Sequence, residues 1–293
     1  MGDSELVFAT LITSEGECQA ASLLVRSLRQ FGGALKNAPF LIFNQNNPIG
    51  ISRLEILKNV EILSVTDDSP QTGYFFRDKV CAWAMAEGFS SQSRSLVWID
   101  PCCLVIREPE LLKCGNGIAA ALRPVHIRNI GQPINTEIEG FWKGVFNQCN
   151  TPTWQGEVVS FVDDHRLLPY FNSHCFSLDP RLKILTKTKE NLEAIANNSL
   201  FMESCCNDQL HKIFLFQAVL SATITSILGE KSRRILPPDY GYPFHLQDKI
   251  KADKQITKME DMTIMVYEDE QHLKLAFQQL QLNQELQNFI KQK

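Results

Sequence analysis

The sequence predicts an α/β protein in which a central, mixed but mostly parallel sheet is flanked by helices. Between residues 6 and 100, short apolar segments alternate with segments that have helical spacing. Four strands are expected, at 6–13, 38–45, 60–65 and 95–100. Each is apolar at consecutive positions, as in parallel strands that are buried on both faces. This alternation predicts βαβ units and therefore the α/β class.

Two helices are expected among these strands. The segment 16–33 has apolar residues at helical spacing and ends at Gly32 and Gly33, which favour a helix end. The segment 77–89 follows the third strand and precedes the fourth. Each helix can cover one face of the sheet.

The second part of the chain is less regular. Strands are expected within 117–124, 170–180 and 262–269. A helix is expected over 207–228, with an apolar interior that could continue into a β-branched segment. The Gln-rich segment 269–293 has the pattern of one C-terminal amphipathic helix. We found no internal repeat and no linker.

Composition excludes several classes of protein. The chain has 293 residues, 44% of them hydrophobic, and a formal net charge of -4, so no nucleic-acid partner is expected. No run of about 20 apolar residues suggests a membrane span. The nine cysteines include no CxxC pair, and the N-terminus is acidic, unlike a signal peptide. We therefore expect reduced cysteines and a cytoplasmic protein.

A single acid interrupts the apolar run at 95–106. Asp100 stands at the end of the fourth predicted strand, directly before Pro101. Ligands of open α/β sheets bind at the carboxyl ends of the strands. A carboxylate among apolar neighbours is costly to bury unless it is paired, hydrogen-bonded or bound to a cation. Asp100 is thus either a ligand-binding residue or an acceptor for loop amides.

Several segments, taken in order, resemble the nucleotide-diphospho-sugar transferases of the GT-A fold. They are 96–112, which resembles the metal-binding strand and the segment after it, 170–180, 207–209 and 235–245. The resemblance covers 1–268 and implies one GT-A-like domain followed by the helix 269–293. It further implies a nucleotide-binding half, 1–115, and an acceptor half, 116–268.

The GT-A resemblance also bears on metal use. Its Asp-x-Asp motif holds a divalent metal on the donor diphosphate, and here the motif reads Asp100-Pro101-Cys102. The resemblance makes Asp100 a metal ligand, but Cys102 replaces the second carboxylate. Mn²⁺ and Mg²⁺ prefer oxygen ligands, so a thiol is a poor substitute. Mn or Mg is therefore a possible but doubtful cofactor, and we expect donor binding to depend little on either.

The resemblance assigns roles to individual residues of this sequence. The expected donor-binding residues are Thr10 and Thr13 toward the nucleotide base, Arg77 and Lys79 toward the phosphates, and Asp100. The expected sugar- or acceptor-binding residues are Asn172, Ser173 and Gln209. Asp208 is an expected catalytic residue, because a carboxylate near the reaction centre can act as a base or stabilise an oxocarbenium ion. His174 is the other expected catalytic residue, a titratable side chain that departs from the glycine of the family at this position.

Three functions remain open on sequence alone. The first is a glycosyltransferase that moves a sugar from a nucleotide-diphosphate donor to an unknown acceptor, possibly without metal. The second is a GT-A-like protein that binds a nucleotide or glycan without turnover, which Cys102 and His174 favour. The third is a sugar-phosphate nucleotidyltransferase. An enzyme of that class would carry a Gly-rich, basic loop after the first strand. Residues 13–19 contain one glycine and no basic residue, so this function is the least favoured of the three.

Overall fold

The computed structural model describes residues 5–45, 50–66, 74–138, 140–151 and 156–291. Its strands are β1 Leu6–Ile12, β2 Phe40–Asn44, β3 Val60–Ser64, β4 Ser95–Ile99, β5 Cys103–Val105, β6 Ala120–Pro124, β7 Val158–Val159, β8 Arg166–Leu167, β9 Phe171–Leu178, β10 Arg233–Ile235, β11 Tyr240–Pro243 and β12 Ile264–Val266. Its α-helices are α1 Glu15–Phe31, α2 Ser52–Glu55, α3 Arg77–Phe89, α4 Gly140–Gln148, α5 Ile184–Ala196, α6 Ser199–Cys205, α7 Gln209–Ile227, α8 Glu270–Gln279 and α9 Gln284–Lys291.

The central sheet has seven strands in the order β10-β6-β9-β4-β1-β2-β3. Neighbouring strands are parallel except where β9 pairs with β4 and β6. A smaller sheet contains β11, β12 and β5, and β7 pairs with β8. The α/β class with a mixed, mostly parallel central sheet is therefore confirmed.

The consecutive apolar residues of the middle strand β4 are explained by burial of both its faces. Successive side chains of a strand point to opposite faces. Leu96 and Trp98 pack in the core cluster that includes α3, α5 and α7. Val97 and Ile99 pack in the cluster on the other face, with α1. Both faces of β4 are therefore buried, and the next residue, Asp100, emerges at the carboxyl end of the sheet.

Helix α1 begins and ends close to the positions that the sequence predicts. The Ser14 hydroxyl accepts a hydrogen bond from the backbone N–H of Glu17, which caps the first turn. At the other end, the backbone N–H of Gly32 donates to the carbonyl of Leu28 at 2.8 Å. A side chain at Gly32 would collide with that carbonyl, because a Cβ would lie 2.4 Å from it.

The predicted single helix over 269–293 is wrong, because two helices form there. Leu280 leaves the helix in an extended conformation, with φ −85° and ψ 146°. Gln281 then exchanges backbone hydrogen bonds with Thr257 and Met259. Asn283 accepts from the backbone N–H of Leu286 and starts α9. Pairing with a distant loop thus stops the first helix, and only the tertiary structure brings that loop near.

Helix α7 covers 209–227 of the predicted 207–228 and does not continue into a strand. By length and composition it could cross a membrane, but 56% of its 18-residue apolar stretch is buried within the structure. Such burial is typical of a core helix. The absence of a membrane span stays a prediction.

Glu87 of α3 caps helix α5 from the side, and its replacement should destabilise the fold. Its fully buried carboxylate accepts from the N–H groups of Leu185 and Thr186 and from the Thr186 hydroxyl, at 2.6–2.9 Å. Glu87→Ala leaves those donors unpaired, so we expect a loss of about 3 kcal/mol in the free energy of unfolding. Glu87→Gln keeps one acceptor and should cost less. Urea unfolding measures both, and a Glu87→Ala loss below ~0.5 kcal/mol would refute the capping role.

Candidate functional site

A cavity of about 860 Å³ opens at the carboxyl ends of β1 and β4. Its wall is built by the loop after β1, the start of α3, the end of β4, β9, the middle of α7 and the segment after β12. Elements from both halves of the chain therefore meet at this place, where α/β proteins bind ligands.

Asp100 lies on the floor of this cavity, as predicted. It follows the central strand β4 and is 8% exposed. The Lys79 ammonium donates to Oδ2 at 2.6 Å, and the Trp98 indole N–H donates to Oδ1 at 2.8 Å. The backbone N–H of Asp100 donates to the carbonyl of His174 at 2.7 Å, which ties β4 to β9. Each oxygen of this carboxylate thus has a partner.

Lys79 is held in place by its surroundings as well as by its charge. It lies in the first turn of α3, and its ammonium is 5.8 Å from the Trp83 ring centroid and 5.4 Å from that of Phe216. Cations are attracted to aromatic faces at such distances. The ammonium is therefore fixed at the cavity floor.

A second ion pair joins His174 of β9 to Glu268, which follows β12. The His174 Nε2 donates to a Glu268 carboxylate oxygen at 2.8 Å. Burial alone would lower the pKa of His174, but the charge and hydrogen bond of Glu268 outweigh it and raise that pKa to about 9. Burial would likewise raise the pKa of Glu268, and His174 instead brings it down to about 2. Each group therefore favours the charged form of the other.

The backbone after β12 positions the Glu268 carboxylate. Glu268 has a left-handed backbone, with φ 64°, which is uncommon for a residue other than glycine. The preceding Tyr267 donates its hydroxyl to the carbonyl of Pro101 at 3.2 Å and its backbone N–H to that of Cys102 at 3.0 Å. As a result, Cys102, His174 and Glu268 each offer a ligand atom, and these atoms lie within 4.8 Å of one another.

The residues around Asp100 do not fit Mn²⁺ or Mg²⁺. Both oxygens of Asp100 already accept strong hydrogen bonds. The next position that could add an oxygen carries the Cys102 thiol, whose pKa is raised by its hydrogen bond with Cys103 and by burial. Hard cations need several oxygen ligands, which Asp100 and Cys102 by themselves do not supply.

Five of the ten predicted site residues line the cavity. They are Thr13, Lys79, Asp100, Ser173 and His174. The backbone N–H and hydroxyl of Thr13 both donate to the Glu17 carboxylate, at 2.5 and 2.8 Å. The β1 loop, the end of β4 and the middle of β9 therefore meet as the sequence predicts.

Three other predicted residues lie close to the cavity but outside its lining, as far as the described chain shows. Thr10 is fully buried within β1. Arg77 is on another side of α3, where it lines a small recess with Lys189 and Glu193. Asn172 is buried, and its side-chain oxygen accepts from the backbone and ring N–H groups of His174. Asn172 therefore orients His174 and does not face the cavity.

The structure places Asp208 and Gln209 outside the described cavity wall, and their assignment to the site stays a prediction. Asp208 is the exposed N-cap of α7, and its carboxylate accepts from the backbone N–H of His211 at 2.9 Å. Gln209 is the exposed first residue of that helix. Aspartate is a preferred N-cap residue, which explains its position before a long helix. Neither side chain is part of the described cavity wall.

Sequence reasoning missed Gln217 and Trp98, which also line the cavity. The buried Gln217 side chain accepts from the backbone N–H and hydroxyl of Ser173, at 3.2 and 3.1 Å. A lone amide inside the apolar stretch of 207–228 was the available signal. The indole of Trp98 lies two residues before Asp100 on the same face of β4, and alternation along the strand could have indicated it.

Replacing Gln217 should remove the two hydrogen bonds that hold Ser173 in place. Gln217→Leu removes the acceptor and leaves two buried donors unpaired, so we expect the free energy of unfolding to fall by about 1–3 kcal/mol. Ser173→Ala removes one of the two donors, so Gln217→Leu should cost less in a Ser173→Ala background than in the wild-type chain. Thermal unfolding of the two single variants and the double variant checks this, and an unchanged cost in that background would contradict the acceptor role.

Comparison with known proteins identifies the fold. No protein-family model and no curated protein matches this chain. Among solved structures, the galactosyltransferase LgtC, determined with donor and acceptor sugar analogues, superposes with a TM-score of 0.52 at 9% identity, over 97% of this chain and 99% of that one. The bifunctional glycosyltransferase WbbM superposes with a TM-score of 0.50 at 11% identity, over 92% of this chain. The match spans 46% of WbbM, so this chain corresponds to about half of that protein.

At these identities the likeness concerns the fold and not the reaction. The chain has the GT-A glycosyltransferase fold that its sequence predicted.

Proposed function

We propose that this chain is a glycosyltransferase that takes a sugar from a nucleotide-diphosphate donor held in the cavity. The observation that carries the proposal is the Lys79–Asp100 pair on the cavity floor, at the carboxyl end of the middle strand. Breaking a bond to a nucleoside diphosphate leaves negative charge on the phosphates. Fixed cations stabilise such charge because they need no reorganisation. The fold likeness to glycosyltransferases supports the same reaction class.

The cavity offers suitable groups along its length. The β1 loop contributes Leu11 and Thr13, which suit the nucleotide base and ribose. Lys79 suits a phosphate and the charge that develops on it. The Ser173 hydroxyl suits a sugar hydroxyl on the β9 side. These assignments leave the identity of the donor sugar and base open.

We further propose that transfer does not use Mn²⁺ or Mg²⁺. This proposal rests on Cys102 in place of a second carboxylate and on the two partners that already occupy the oxygens of Asp100. The expectation from sequence that donor binding depends little on these two ions is therefore retained as a proposal.

A second candidate is binding of a nucleotide sugar or glycan without turnover. It is favoured by the position of Asp208, which was the expected catalytic carboxylate but caps α7 outside the described cavity wall. A donor and an acceptor that bind without reaction would identify this function. The proposed site of action is the cytoplasm, which suits the nine free cysteines.

A panel of nucleotide sugars tests the proposed function. Purified chain is titrated by calorimetry with uridine and guanosine diphosphate sugars, and release of nucleoside diphosphate is followed in the same samples. We expect at least one donor to bind and to be consumed when an acceptor, or water, is present. Binding without consumption supports the second candidate. Failure of every donor to bind would refute the proposed transferase and would leave glycan binding as the form of the second candidate.

A further inference from the structure

The geometry points to a zinc-type metal site formed by Cys102, His174 and Glu268. Their ligand atoms, a thiol sulfur, an imidazole nitrogen and a carboxylate oxygen, lie within 4.8 Å of one another. Zinc binds sulfur, nitrogen and oxygen at about 2.0–2.3 Å, so its ligand atoms stand roughly 3–4 Å apart. Small side-chain movements would therefore bring all three into contact with one ion. This inference does not depend on the proposed transferase activity.

In both His174 and His245, the Nδ1 lies near an oxygen and the Nε2 faces Glu268, as in a metal-binding histidine. In metal sites, the ring nitrogen that does not bind the ion usually donates to an oxygen, which fixes the orientation of the ring. The Nδ1 of His174 donates to the side-chain oxygen of Asn172 at 2.8 Å, and its Nε2 faces Glu268 at 2.8 Å. The Nδ1 of His245 lies 3.5 Å from the carbonyl of Val266, and its Nε2 lies 3.7 Å from the same Glu268 oxygen.

His174 and His245 belong to a chain of rings, which makes this region unusually rich in imidazole. Four of the six histidines in the sequence are neighbours, with ring centroids 6.2–6.4 Å apart: His126, His174, His245 and His272. The Nε2 of His245 lies 3.7 Å from Glu268 but outside the group of three, so His245 would have to move closer to supply a fourth ligand. With Cys102, the set becomes one sulfur, two nitrogens and one oxygen, which suits the tetrahedral geometry of zinc.

The charge of the neighbouring cavity also favours a cation. Six carboxylate residues line it in the described part of the chain, against Lys79 and His174 as the cationic side chains. The six are Glu17, Asp78, Asp100, Glu268, Asp269 and Glu270. A divalent ion between Cys102 and Glu268 would offset part of this negative charge.

The ligand chemistry selects among metals. A thiolate with imidazole is a soft to borderline set, which suits Zn²⁺ and its spectroscopic substitute Co²⁺ and does not suit Mg²⁺ or Mn²⁺. A bound metal ion deprotonates a coordinating thiol, so the raised pKa of the free Cys102 thiol does not prevent ligation. The ion would take the place of the proton that His174 now shares with Glu268.

Metal titration of the chelator-treated protein tests this site. Co²⁺ is added first, because a cobalt–thiolate bond gives a charge-transfer band in the near ultraviolet. Zn²⁺ is then titrated in competition with a coloured chelator. The variants are Cys102→Ser and Glu268→Gln, and the matched control is Cys205→Ser, which changes the other partly exposed cysteine. Circular dichroism monitors the fold of each variant.

We expect one Zn²⁺ per chain and a cobalt–thiolate band that Cys102→Ser abolishes and Cys205→Ser leaves intact. Zinc affinity should fall at least tenfold in Cys102→Ser and Glu268→Gln, while Mn²⁺ should compete at least a hundredfold more weakly than Zn²⁺. A missing band in the wild-type protein, a band that survives Cys102→Ser, or equal affinities for Mn²⁺ and Zn²⁺ would overturn the inference. If Cys102→Ser does not fold, Glu268→Gln alone decides, because Glu268 is partly exposed.

Discussion

Lys79→Ala is expected to weaken the binding of a nucleotide-diphosphate sugar by tenfold or more. The lysine ammonium is fixed on the cavity floor by Asp100 and by two aromatic rings, so it can meet a phosphate without reorganising. Losing one charge-assisted hydrogen bond to a phosphate costs about 1.5–3 kcal/mol. Calorimetric titration with the best donor of the panel measures this loss.

Two control variants, one of a lysine and one of an arginine, test whether the loss of donor affinity is specific to Lys79. Lys187→Ala removes an exposed lysine that pairs with Glu190 on α5 and should leave donor affinity unchanged. Arg77→Ala should do the same, since Arg77 does not line the described cavity. Donor affinity that is intact in Lys79→Ala, or that falls equally in Arg77→Ala, would contradict the assignment of Lys79.

Cys102→Asp is expected to create a response to Mn²⁺ that the wild-type chain lacks. The new carboxylate would stand two residues after Asp100 and complete a pair of oxygen ligands for a hard cation. We expect Mn²⁺ affinity to rise at least tenfold, equal to about 1.4 kcal/mol. Electron paramagnetic resonance of free Mn²⁺ measures the bound fraction.

Cys205→Asp is the matched control for this gain. It adds a carboxylate at another partly exposed cysteine, which is outside the described cavity wall, so it should not change Mn²⁺ binding. If Cys102→Asp gains no affinity, the position does not face the metal-binding region. If the wild-type chain already binds Mn²⁺ as tightly, the thiol does not disfavour hard cations here.

The sequence predicted the strands and the central acid because their signals are local. Apolar residues at consecutive positions identified β1 and β4, and Asp100 was conspicuous as the polar residue that ends such a run. The rule that ligands meet strand ends then placed it in a cavity.

Other features depend on contacts between distant segments and could not be read from local patterns. Glu268 and His174 are far apart in sequence, and only the packing of β12 near β9 brings their charges together. The break at Leu280 requires the loop containing Thr257. Asp208 shows a different limit of sequence reasoning, because an aspartate before a long helix serves as a cap whether or not it resembles a catalytic motif.

The central claim is that the cavity binds a nucleotide-diphosphate sugar without Mn²⁺, and calorimetry of the wild-type chain tests it most directly. The donor is titrated once in EDTA and once with Mn²⁺. The account predicts measurable binding in both, with affinities equal within a factor of about two, or ~0.4 kcal/mol. An affinity that disappears in EDTA and returns with Mn²⁺ would contradict the account, as would the absence of binding under both conditions.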